Sequence, residues 1–139
     1  DLLALGLPAA GQGFERGRFV QQLELPGVWL ERGRIDAADT RLLDSPLGWA
    51  GKRVLATMWF AAGSALQPAR RDALLDGARD AVATLSAQAG VTAPHERVVV
   101  LRALADRVEQ AMQLLKQVWA KWRGTAWELA AAPPRLWRT

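Results

Sequence analysis

Four apolar runs of strand length and two longer runs at helical spacing in the second half predict an α+β fold. The expected architecture is an antiparallel or mixed β-sheet with two amphipathic helices towards the C-terminus, in a single domain spanning 1–139. The order is strands first, then β-α-β-α.

Residues 5–17 hold Gly6, Pro8, Gly11, Gly13 and Gly17 and read as a turn-rich connector. Phe19 to Leu25 alternates partly with period two and reads as a strand. Pro26-Gly27 is a turn signal and Val28 to Arg32 the returning strand, so 18–34 is predicted to be a hairpin. Residues 36–51 are broken by Asp44-Ser45-Pro46, Gly48 and Gly51, with a helical turn at 37–43. Arg53 to Phe60 is apolar on both faces, which suits the middle of a sheet. Gly63-Ser64 ends it, and Pro68 suits the first position of a helix. Leu74, Leu75, Ala78, Val82, Leu85 and Ala89 recur at helical spacing, with Gly90 as the expected C-terminal cap. Residues 97–104 form the fourth strand. Asp106 and Glu109 have capping-box spacing ahead of the second helix. Val108, Met112, Leu115, Val118, Trp119 and Trp122 make its apolar stripe. Lys121 and Arg123 oppose the negative end of its dipole, and Gly124 follows.

Half of the 139 residues are hydrophobic and 23% are charged, a globular rather than a disordered composition. No run of 18 apolar residues is present, so no transmembrane helix and no membrane partner are expected. The opening Asp1-Leu2-Leu3-Ala4-Leu5 has no basic region before it and reads as a chain entered in mid-domain rather than a signal peptide. Cysteine is absent, which removes disulfides, thiolate nucleophiles and Cys-ligated zinc and fits a cytoplasmic setting. The net charge is +4, but the charges are interspersed, so no nucleic-acid partner is expected.

Gly48-Trp49-Ala50-Gly51-Lys52-Arg53 has a Gly-Lys pair but only two residues between its glycines and no Ser or Thr after the lysine, so it is not a phosphate loop. Gly11-Gln12-Gly13 lacks the third glycine of a dinucleotide site. His95 is the only histidine, with Glu96 the nearest carboxylate. Neighbours on an extended segment point to opposite faces, so the two make no ready chelate, and His95 reads as a loop residue entering a strand. A hydrolase triad would have to be built on His95, and no Gly-x-Ser-x-Gly elbow accompanies it.

Seven tryptophans stand against three phenylalanines and no tyrosine. Trp59, Trp119 and Trp122 lie on predicted apolar faces and are expected in the core. Trp29, Trp49, Trp127 and Trp137 fall in or near turns and the tail, where contact with a partner and packing under a loop are both open readings.

The order of several segments resembles the C-terminal half of the urease accessory protein UreD (UreH) family. Gly6, Ala9, Gly11 and Phe14 match a family stretch of the form Gly-Arg-x-Ala-x-Gly-Glu-x-Phe, with Leu7 in place of Arg and Gln12 in place of Glu. The strands Arg53 to Met58 and Arg97 to Ala105, the helix end Trp119 to Arg123 and the tail Pro133-Pro134-Arg135-Leu136-Trp137-Arg138-Thr139 complete the likeness. Family chains are about twice this length. The resemblance implies part of a larger β-rich, non-catalytic scaffold that docks apo-urease and recruits a helical accessory protein and a nickel-delivering GTPase. It implies nickel in transit and no tightly bound cofactor. Gln12, His95 and Glu96 are the only metal-ligand candidates. Gln12 keeps an oxygen acceptor without the charge of Glu, which weakens its hold on a divalent cation. Trp29, Trp49, Trp127, Arg135, Trp137 and Arg138 are the candidate partner contacts. The alternatives are an interaction domain unrelated to nickel and, less favoured, an enzyme using His95.

Overall fold

In the computed structural model, which describes residues 1–7 and 10–137, the chain forms an α+β fold. Its elements run β1 (Leu2–Ala4), β2 (Arg18–Leu25), β3 (Trp29–Asp36), α1 (Thr40–Asp44), β4 (Val54–Ala61), α2 (Pro68–Thr84), β5 (Gln88–His95), β6 (Val98–Ala105) and α3 (Val108–Trp127), with a 3-10 turn at Arg135–Trp137. Four strands make one sheet in the order β1-β4-β6-β5, and every neighbouring pair is antiparallel. The hairpin β2–β3 forms a second sheet, paired from Arg18↔Asp36 to Leu25↔Trp29 around the Pro26-Gly27 turn.

The two central strands are apolar because both faces of their sheet are covered. Val98 to Leu101 of β6 are all at most 1% exposed. Val54, Ala56, Phe60, Val99, Leu101 and Ala103 face α2 and α3. From α2 come Leu74, Leu75, Ala78 and Ala81, and from α3 Ala111, Leu114, Leu115, Val118, Trp122 and Ala126. On the other face Leu3, Leu55 and Leu104 meet Leu5, Phe14, Phe19, Ile35, Leu43 and Trp49. The sheet is thus a middle layer between two helices and the hairpin with α1.

Four expectations are corrected. The helix from Pro68 stops at Thr84, and Ala89 and Gly90 belong to β5, a strand the apolar pattern conceals. This edge strand reads Gln-Ala-Gly-Val-Thr-Ala-Pro-His, with Pro94 and a register shift between Thr92 and His95, features that blunt a sheet edge. Asp106 does not cap α3. The N-cap is Arg107, with no side-chain bond, while Asp106 pairs with Lys52 at 2.8 Å. Gly124 lies inside α3, which continues to Trp127 and ends on Glu128 in the left-handed region at φ 54°. Lys121 therefore sits clear of the last turn and faces Asp80 at 3.8 Å. The buried line of α3 is also rotated: Val108 is 38% exposed, and Met112 and Trp119 are only half-buried.

Candidate docking surfaces

The metal-ligand candidates lie at opposite ends of the sheet. Gln12 is exposed in the β1–β2 loop, beyond the end where Leu5 N–H donates to the Arg53 carbonyl. His95 and Glu96 turn from β5 into β6, whose first residue Val98 pairs with Ala61 at the far end of β4. Eight residues of strand separate the two ends by roughly 23 Å. The Nδ1 atom of half-buried His95 accepts the Arg97 backbone N–H at 3.2 Å, and the Glu96 carbonyl accepts Leu66 N–H. Among the described residues no group of three or more His, Asp and Glu side chains converges.

Leu7 and Gln12 are partners in an isolated antiparallel bridge, where Leu7 N–H donates to the Gln12 carbonyl at 2.8 Å and Gln12 N–H returns to Leu7 at 3.1 Å. The two departures from the resembled motif therefore face each other. Gly6, at φ 79°, fits beneath this bridge because a Cβ there would stand 2.5 Å from the Gln12 oxygen. Ala9 and Pro8 lie outside the described residues.

The tryptophans divide by environment. Trp122 is buried in the main core, its Nε1–H donating to the Leu74 carbonyl at 2.8 Å. Trp49, a candidate partner contact, is 6% exposed and packs with Leu5, Ile35 and Leu43, so this chain leaves it little surface to offer. Trp29 is half-buried in a recess shared with Leu23, Leu25, Trp59, Ala61 and Val98, between the hairpin and the sheet. Trp127 is 56% exposed, yet its ring rests 5.5 Å from that of buried Phe60. Trp119, expected in the core, lies half-buried on α3 and meets Trp137 edge-on at 5.4 Å. Lys116 Nζ donates to the Trp137 carbonyl at 3.0 Å, and Arg123 lies over the Trp119 ring while its Nε donates to the Ala130 carbonyl. The tail thus packs back on α3 rather than on the sheet. Arg135 is exposed, and Arg138 and Thr139 lie outside the described residues.

Among the described residues, an ion pair that the sequence does not signal joins the layers. Arg102 on β6 forms a bidentate pair with Glu31 on β3, tying the hairpin to the sheet. At the hairpin's open end the Asp36 carboxylate accepts Ala38 N–H at 3.1 Å and Arg18 Nε at 3.1 Å. The backbone donor, then the guanidinium, holds its pKa below the usual aspartate value.

The described residues offer aromatic and cationic surface, at Trp127, Trp29 and Arg135. The sequence profile of the family described as "UreD urease accessory protein" matches residues 1–138. The chain belongs to the UreD family. A UreD urease accessory protein of Leptothrix cholodnii is 62% identical over 141 residues, covering 100% of this chain and 51% of the relative. Proteins of the same name from Albidiferax ferrireducens and Variovorax paradoxus are 62% and 57% identical, covering 99% and 100% of this chain. This UreD-family chain spans about half the length of the curated relatives it matches. No helix among its described residues is long and apolar enough to cross a membrane.

Proposed function

We propose that this chain serves urease maturation as a non-catalytic scaffold, on which apo-urease and further accessory proteins assemble and by which nickel is handed on as cargo. The observation that carries the reading is the UreD family match across residues 1–138. The surface chemistry supports it. Tryptophan and arginine dominate the energetic centres of protein interfaces. Trp127 offers a largely exposed indole set against Phe60, Trp29 lines a recess, and Arg135 is exposed. Nickel passes through such a scaffold without a resident site, and the helical accessory protein and the nickel-delivering GTPase are its other partners in the cytoplasm.

The test is co-purification of a full-length protein containing this chain with apo-urease subunits, alongside urease activation in nickel-containing medium. Trp127→Ala is expected to weaken association at least tenfold while lowering the melting temperature by only a few degrees, the loss of its contact with Phe60. Failure of the unaltered protein to associate would overturn the scaffold reading. Association without any effect on urease activation would leave an interaction domain unrelated to nickel. Calorimetric titration of this chain alone with nickel is expected to show no tight one-to-one site. A tight site that persists in His95→Ala counts against transit.

A further inference from the structure

The chain leaves one stretch of central-strand edge open. Alternate residues of β4 turn their main-chain groups to β6: Ala62 N–H donates to the Arg97 carbonyl at 2.9 Å, so Met58 and Phe60 share that side. The residues between turn the other way. Thr57 N–H donates to the Asp1 carbonyl at 2.9 Å, and β1 pairs with Val54 to Ala56. Beyond that point no strand among the described residues pairs with the N–H and C=O of Trp59 and Ala61. The same two side chains form one wall of a mainly apolar recess with Leu23, Leu25, Trp29 and Val98, at which Glu24 is the one charged residue. Elsewhere on the same side chain, Trp59 Nε1 is buried with no hydrogen-bond partner among the described residues. A buried donor without an acceptor is costly, and native folds rarely tolerate one.

We propose that the β4 edge at Trp59–Ala61 is a strand-addition site, and that its occupant is an extended segment from the remaining half of a UreD-length protein. An added strand supplies main-chain acceptors and donors to Trp59 and Ala61 and places alternate side chains beside the recess. The source follows from length and alignment. The curated relatives are about twice as long as this chain, and the open edge continues the line that β1 already follows along β4. The inference rests on family membership and is independent of any role in nickel transfer.

Amide hydrogen exchange on a UreD-length protein containing these residues tests it, with Phe60 as the internal standard because its N–H is held by β6. The expected result is that Trp59 and Ala61 exchange within about threefold of Phe60, at a rate independent of protein concentration. Exchange at Trp59 and Ala61 at least tenfold faster than at Phe60 would overturn the proposal. Protection that appears only on concentrating the protein would assign the edge to a second copy, and protection that appears only with urease subunits would assign it to a partner; either overturns it. Ala61→Pro supplies a second readout, since it removes a donor that β6 does not use. In the UreD-length protein it is expected to speed Trp59 exchange at least tenfold while leaving Phe60 unchanged; unaltered Trp59 exchange counts against the proposal.

Discussion

Replacing Trp122 by alanine is the most discriminating perturbation of the core. Trp119 and Trp122 lie on the same predicted stripe, but their environments differ. Trp122 is 3% exposed, meets Phe60 edge-on at 6.2 Å and bonds the Leu74 carbonyl, whereas Trp119 is half-buried against the tail. Truncating a fully buried tryptophan costs about 3–5 kcal/mol, from lost transfer energy and the cavity left behind. Against a total stability of about 5–15 kcal/mol, that removes a large fraction. Trp122→Phe keeps a ring in the space but loses the indole bond and some volume, for about 1–2.5 kcal/mol. Trp119→Ala, with half the burial and one aromatic edge contact, should cost about 1–2 kcal/mol. Urea titration with linear extrapolation at constant slope measures all three. A loss below about 1 kcal/mol for Trp122→Ala, or equal losses at the two positions, would refute the argument that α3 turns Trp122 inward and Trp119 outward.

A double-mutant cycle of Trp119→Ala and Trp137→Ala is expected to give a coupling of about 0.5–1.5 kcal/mol, and additivity would show that the tail does not pack on α3. Glu128→Gly relieves a left-handed residue at the end of α3 and should raise stability by about 0.5–1 kcal/mol; a fall in the melting temperature counts against that strain. Asp36 has its folded pKa held below the unfolded value, so its contribution is present above about pH 4 and is lost as pH falls through the folded value. Asp36→Asn should accordingly be less stable than the unaltered chain at neutral pH and converge with it in acid; a constant difference in melting temperature across pH 2–7 would contradict this.

Local chemistry wrote much of the fold into the sequence. Pro26-Gly27 between alternating runs gave the β2–β3 hairpin, because a tight turn and a two-residue period are properties of neighbouring residues. The apolar run of β4 announced a central strand, because a strand covered on both faces has little polar side to show. The metal-ligand candidates gave little at this level: one histidine and a glutamine carry no spacing that places them together, and the sheet holds them at its two ends. Tertiary structure decided what depends on partners distant in sequence. Edge strand β5 owes its existence to β6, since Gln88 to His95 has no strong preference of its own and its alanines extend a helical pattern. Asp106 leaves the cap position because Lys52, 54 residues away, supplies a charge partner. Trp49 is buried and Trp127 exposed although both sit beside turns, because only the packing of α1 and the hairpin over the sheet covers the first.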